Sequence, residues 1–222
     1  MSTIQKSETK NQAGDSFRIL PRGLITLTLS VFDSVARLFV NLNISPNILS
    51  VIGLLIGIGV GLLFFFEHPF WAGILTLVCG IFDILDGKVA VKLNKKSLYG
   101  AIFDSTLDRY SEFFIYLGLA WHFKSSWALW VIFFTFLGST MVSYTRARAE
   151  GLGIDCKVGV MQRAERIVLL SLAAIFGPPL RIFDPAMIVA LALIALLSNI
   201  TAIQRIYFVR KMEILKKTEK EV

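Results

Sequence analysis

Charge is what this chain has little of. Aspartate, glutamate, lysine and arginine make up 18% of its 222 residues, where a soluble domain runs nearer a quarter. Cysteine is scarcer still. Cys79 falls inside an apolar run and Cys156 in a loop, so neither a disulfide framework nor a CxxC metal pair can be built. No short apolar core precedes a small-residue cleavage site in the polar stretch Met1–Ser16, which excludes a signal peptide there. The net charge is +7, yet the basic residues sit between apolar runs rather than on one soluble face, which argues against nucleic acid as a partner.

What the chain does have is long uncharged runs. Ile48–Phe66, Trp127–Thr145 and Pro185–Gln204 contain no charge, and roughly 20 apolar residues suffice to cross a bilayer as a helix. The sequence predicts an all-α integral membrane protein with six transmembrane helices preceded by an amphipathic juxtamembrane helix. The spans fall at about Asn47–Phe66, Pro69–Val91, Tyr99–His122, Trp127–Arg148, Val160–Phe176 and Pro185–Phe208. In domain terms, 1–16 is a disordered cytoplasmic tail and 17–43 an interfacial helix. Residues 44–210 form the membrane domain, and 211–222 a charged cytoplasmic tail. Within Ile19–Asn41, Thr26, Ser30, Asp33, Arg37 and Asn41 form one polar stripe at helical spacing, as a helix lying in the membrane surface requires. Ser45 and Pro46 read as a helix start. Gly53, Gly57, Gly59 and Gly61 predict close helix contact in the first span.

Orientation follows from the basic residues. With a cytoplasmic N-terminus, the inner segments carry nearly all the lysine and arginine, and the three outer loops hold only Lys124 and Arg181. Trp71, Trp121, Trp127 and Trp130 then mark an outer aromatic belt. Both termini are expected on the cytoplasmic side of the cell membrane. His68 and His122 fall on the outer side as interface residues.

Four aspartates dominate the chemistry. Asp83 and Asp86 are i,i+3 near the end of the second span, and Asp104 and Asp108 are i,i+4 near the start of the third. Each pair shares one helix face. The short loop between the spans makes the two helices antiparallel neighbours, with both pairs at one depth. One carboxylate near a helix end is an ordinary solvated charge; four on facing surfaces repel and need a positive partner. Arg109 cannot neutralise all four. Hard oxygen donors select Mg²⁺, Mn²⁺ or Ca²⁺, and two ions suit four carboxylates in a phosphoryl-transfer site. A cation transporter is the competing class, but ion pathways place acidic groups near the midplane, and these sit at one surface.

The segment from Asp83 to Asp108 resembles the signature of the CDP-alcohol phosphotransferase family, D-x2-D-G-x2-A-R-x8-G-x3-D-x3-D. Asp83, Asp86, Gly87, Ala90, Gly100, Asp104 and Asp108 match it in residue and spacing. Val91 stands where the family has an arginine on the nucleotide side, and Lys88 or Lys92 could supply that charge. The resemblance implies that the aspartates hold two Mg²⁺ ions, with Mn²⁺ as the alternative, on the diphosphate of a CDP-linked lipid. It also implies that Asp108 is the general base. Asn47, Ser50, Gly87, Ser97 and Gly100 would then line the CDP-lipid site, although capping explains Ser50 and Ser97 nearly as well. A homodimer is implied too.

A second, basic cluster bears on the acceptor. Arg146 and Arg148 end the fourth span, Arg163 and Arg166 open the fifth, and Arg205 ends the sixth. Guanidinium forks suit phosphate; the plain alternative is that they anchor the spans to the inner surface. The whole chain resembles the phosphatidylinositol-phosphate synthase branch, which implies that Arg146, Arg148, Arg163 and Arg205 bind the acceptor's phosphate. The expected reaction transfers a phosphatidyl group from CDP-diacylglycerol to inositol 1-phosphate. Phosphatidylglycerol-phosphate synthesis, with glycerol 3-phosphate as acceptor, is the runner-up.

Overall fold

The computed structural model describes residues 33–95 and 97–221. The predicted 1–16 tail and most of the 17–43 helix lie outside them. Seven helices are present among the described residues: α1 (33–41), α2 (Pro46–Phe65), α3 (Pro69–Lys92), α4 (Leu98–His122), α5 (Ala128–Gly151), α6 (Arg163–Phe176) and α7 (Phe183–Glu221). Three of these, α2, α5 and α7, are long and apolar enough by length and composition to cross a membrane.

Prolines set the starts of α2 and α3, where a missing N–H costs nothing. Ser45 stands at the α2 N-cap without a side-chain capping bond, so the fixed φ of Pro46 rather than the predicted serine cap starts that helix. Ser97 does cap α4, accepting from the Gly100 N–H at 2.9 Å. α6 opens on a reciprocal box between Gln162 and Glu165. It begins at Arg163, not at Val160 as the sequence predicts. Its 14 residues span about 21 Å at about 1.5 Å per residue. α7 also differs: the helix runs past Phe208 to Glu221 without a break. No glycine or proline follows Pro185, and an i,i+4 pair, Glu213–Lys217 at 2.9 Å, supports the added turns.

α2 packs on both α3 and α4, α3 on α6, α5 on α7, and α6 on α7. The tightest approach is between α2 and α4. A side chain on Gly57 would strike the Ser111 hydroxyl, one on Gly61 the Phe114 carbonyl, and one on Gly118 the Gly61 carbonyl. Gly53, by contrast, faces open space. Thr135 donates to the Leu191 carbonyl at 3.0 Å, tying α5 to α7, and Tyr116 and Ser139 join α4 to α5 at 3.2 Å.

One apolar core, built around Phe64, Ala72, Leu119, Phe123, Met187 and Leu191, fills the end of the bundle where α2 stops and α3 starts. At that end His122 and Asp184 pair at 3.1 Å, and Trp71, Trp121, Trp127 and Trp130 are exposed. A smaller core of Ala36, Leu49, Leu85 and Val89 lies at the other end. It seats α1 through Ala36 and Phe39, while Leu38 and Leu42 remain exposed. Lys88 closes that seat with an ion pair to Asp33 at 2.6 Å. This pairing also holds the exposed Asp33 carboxyl below its usual range.

Filling the α2–α4 contact should unfold the bundle from its middle. Gly118→Leu is expected to cost at least about 1–3 kcal/mol, the range for overpacking, read as a lower Tm in detergent. Gly53→Ala should hold or raise the Tm, since a helical glycine in open space gains from a methyl group. Equal effects at the two sites would refute the close contact.

Candidate active site

The four aspartates converge as their spacing predicts, though the scaffold does not. α3 and α4 make little direct contact; α2 packs on both and holds them apart. The direct neighbour packing expected from the short loop is therefore replaced by a gap, which carboxylate side chains enter from either wall. Two helices in intimate contact would leave four carboxylates no room for counter-ions.

Across that gap, one carboxylate oxygen each from Asp83, Asp104 and Asp108 lie within 4.8 Å of one another. Asp86, 5% exposed, receives the Ser50 hydroxyl at 3.1 Å and lies beside Asp104. Asp104 Oδ1 is buried with no hydrogen-bond partner. A buried carboxylate oxygen in that condition is costly unless a cation answers it.

Two guanidiniums reach the cluster. Arg163 contacts Asp83 Oδ2 through Nε at 3.2 Å and Asp108 Oδ2 through Nη1. Arg109 stands 3.5 Å from Asp108 Oδ2 and donates to the Ser105 carbonyl at 3.0 Å. Against four carboxylates they leave two charges unmatched. The donor set is all carboxylate oxygen, the chemistry of Mg²⁺ and Mn²⁺ rather than of softer metals. The orphaned Asp104 oxygen and the three convergent ligand atoms fit such ions.

Residues assigned to the CDP-lipid from distant parts of the sequence meet at one corner. A Cβ on Gly100 would lie 3.0 Å from Ser97 Oγ and 3.5 Å from Asn47 Oδ1. Ser50 is tied to Asp86, one turn along α2. Gly87 opens onto free space, so nothing on that face of α3 obstructs a ligand. Val91 is 55% exposed. The two lysines expected to replace the missing arginine point elsewhere: Lys88 is on the Asp33 carboxylate, and Lys92 donates to the Asp33 carbonyl at 3.2 Å.

The basic residues do not form a single cluster. Arg163 lies among the aspartates. Arg146 is exposed and paired with Glu150 at 2.8 Å, and Arg148 is exposed. Arg205 is 2% exposed, donating to the Val158 carbonyl at 2.9 Å and to the Val142 carbonyl. Those bonds pin the 152–162 loop to the end of α5, and the Met161 N–H to Thr201 Oγ1 bond at 3.0 Å pins it to α7. The guanidinium that the resemblance places on a ligand's phosphate thus gives Nε and Nη1 to backbone carbonyls. One pair was missed outright: Arg166, 2% exposed, bonds Glu112 at 3.0 Å. The signal was present, since Asp108 and Glu112 share one face of α4 and Arg163 and Arg166 one face of α6.

Comparisons with known proteins bear on the family and the fold. Residues 43–209 match the family model described as CDP-alcohol phosphatidyltransferase. The archaetidylinositol phosphate synthase of Pyrococcus horikoshii is 36% identical over 180 residues, covering 81% of this chain and 90% of that one. The phosphatidylinositol phosphate synthase of Streptomyces avermitilis is 32% identical over 203 residues, covering 86% of this chain and 81% of that one. The crystal structure of Mycobacterium tuberculosis phosphatidylinositol phosphate synthase with CDP-DAG bound superposes with a TM-score of 0.73 at 27% identity, over 81% of this chain and 94% of that one. A structure of the same enzyme in complex with manganese and citrate gives a TM-score of 0.72.

The Arg205 contacts predict a local effect. Arg205→Met strips two carbonyls of a buried donor, each loss worth about 1–3 kcal/mol. Amide hydrogen exchange across 152–162 should accelerate at least about tenfold, the change that about 1.4 kcal/mol produces. Unchanged protection would show that the loop is held by other contacts.

Proposed function

The chain belongs to the CDP-alcohol phosphatidyltransferase family, and from that membership we propose that it transfers a phosphatidyl group from CDP-diacylglycerol to inositol 1-phosphate, releasing CMP. One observation carries this reading: two aspartate pairs face each other across a gap beside the corner made by Asn47, Ser97 and Gly100. A diphosphate has its cation site and its nucleotide site side by side there.

The roles follow from position. Asn47, Ser97 and Gly100, with Gly87 opposite, receive the cytidine and diphosphate; Ser50 orients Asp86. Asp83, Asp86, Asp104 and Asp108 would hold two Mg²⁺ ions, which supply charge stabilisation on the diphosphate. Asp108 takes the proton from the acceptor hydroxyl. The hydroxyl oxygen bonds to the lipid-linked phosphorus as the bond from that phosphorus to CMP breaks, and CMP carries off the electron pair. Arg146, Arg148, Arg163 and Arg205 take the acceptor's phosphate, and Arg205 also holds the loop that presents Arg163.

The acceptor is supported by what the relatives' names share. Inositol phosphate is common to both names, whereas the lipid differs, archaetidyl in one and phosphatidyl in the other. The same reading gives α2 to α7 as six spans, with α1 at the membrane surface, both termini and the site on the cytoplasmic side, and two copies forming a homodimer. The distribution of lysine, arginine and tryptophan supports that orientation.

Incubating the purified protein with CDP-diacylglycerol or its archaeol analogue, and separately with inositol 1-phosphate, free inositol and glycerol 3-phosphate, tests the proposal by mass spectrometry. A phosphatidylinositol phosphate product is expected; a product from glycerol 3-phosphate alone would overturn the acceptor. Asp108→Asn should lower kcat by about 10²–10⁴-fold, the span of a general base, with membrane insertion intact. Undiminished turnover would remove the base. EDTA should abolish activity, and added Mg²⁺ or Mn²⁺ should restore it.

A further inference from the structure

We propose that Arg163 is shared between the aspartate cluster and the acceptor's phosphate, so that the acceptor site is completed only when divalent ions take over Asp83 and Asp108. This rests on the reaction proposed above and adds an order of assembly to it.

Oxygen accounting leads to this. Arg163 bridges Oδ2 of Asp83 and Oδ2 of Asp108, and Asp83 and Asp108 are two of the three residues whose ligand atoms converge. A hard cation binds carboxylate oxygen at about 2.0–2.6 Å. A guanidinium held against those same two carboxylates would then face a like charge at close range. That repulsion favours Arg163 leaving Asp83 and Asp108 when they ligate.

Charge accounting agrees. Four carboxylates against Arg163 and Arg109 leave a deficit of two positive charges. Two divalent ions supply four, so the cluster no longer needs a guanidinium. A phosphate monoester brings about −1.5 to −2 and takes up the released one.

The backbone allows the exchange and confines it to a side chain. Arg163 is the first residue of α6, inside the Gln162–Glu165 capping box. The preceding loop is fixed by Arg205 and Thr201, which leaves the side-chain torsions of Arg163 to move. Other guanidiniums line this end of the bundle. The charges of Arg163 and Arg166 act on Arg109, and those of Arg146 and Arg166 act on Arg205. An anion entering here is attracted by these positive charges, and its own charge draws Arg163 away from the aspartates.

The test measures binding and leaves turnover aside. Mn²⁺ binding to the purified protein is followed by electron paramagnetic resonance, and inositol 1-phosphate binding by calorimetry. In the wild type, saturating Mn²⁺ should tighten inositol 1-phosphate at least about tenfold, within the ordinary range of coupling, and the acceptor should tighten Mn²⁺ by the same factor. Arg163→Met should bind Mn²⁺ several-fold more tightly than the wild type. It should bind inositol 1-phosphate weakly, with a Kd independent of Mn²⁺. Arg163→Lys, which keeps the charge but lacks the planar fork, should fall between. Coupling that persists undiminished in Arg163→Met, or no coupling in the wild type, overturns the exchange while leaving the reaction standing. Wild-type protein that binds no Mn²⁺, or Asp104→Asn that binds it as the wild type does, overturns the metal site itself and this proposal with it.

Discussion

Mutual repulsion among four carboxylates governs this structure. Asp83, Asp86, Asp104 and Asp108 are brought to one place in a chain with few charges to spare, and the surroundings are arranged around the electrostatic cost. α2 packs on both α3 and α4, which meet each other only sparsely, as at Cys79 and Ser111. The gap between them admits Arg163 from α6 and Arg109 from α4 itself. One oxygen of Asp104 is still left buried and unanswered. A site in this condition favours cations, because without them its carboxylates must stay uncompensated or take up protons.

The rest of the bundle serves as a frame for that gap. Glycines at Gly57, Gly61 and Gly118 let α2 and α4 approach until backbone meets backbone, which fixes the wall bearing Asp104 and Asp108. The wall bearing Asp83 and Asp86 is held by α2 on one side and α6 on the other. Arg205 and Thr201 tie down the loop that delivers Arg163. Lys88 and Lys92 fasten α1 beside the same end through Asp33. Arginine and lysine thus do two kinds of work here: some tie neighbouring segments together, and two, Arg163 and Arg109, stand at the site.

The aspartate site was legible in the sequence because helical periodicity is local. Spacings of three and four residues put each pair on a face, and a short loop put both pairs at one end. The glycine contacts of α2 and the belt of tryptophans were legible for the same reason. What depended on long-range packing was not. That α2 separates α3 from α4 follows from side-chain shape across the bundle, which no spacing encodes. Arg163 and Arg205 look alike as basic residues near span ends, yet one meets carboxylates and the other carbonyls. Lys88 and Lys92 were candidates for the charge missing at Val91 until Asp33, 55 residues earlier than Lys88, proved to be their partner. Residues 211–222 read as a charged tail while the helix continues to Glu221, because composition marks where a bilayer ends, not where a helix does.

The central claim is that divalent ions between the two aspartate pairs supply the charge that arginine alone cannot. Anomalous diffraction from crystals grown with Mn²⁺ and CDP-diacylglycerol tests it most directly. The account predicts Mn²⁺ peaks within ligand distance of Asp83, Asp104 and Asp108, lost in Asp104→Asn. No anomalous signal between α3 and α4 at saturating Mn²⁺, with Arg163 still bridging Asp83 and Asp108, would contradict it.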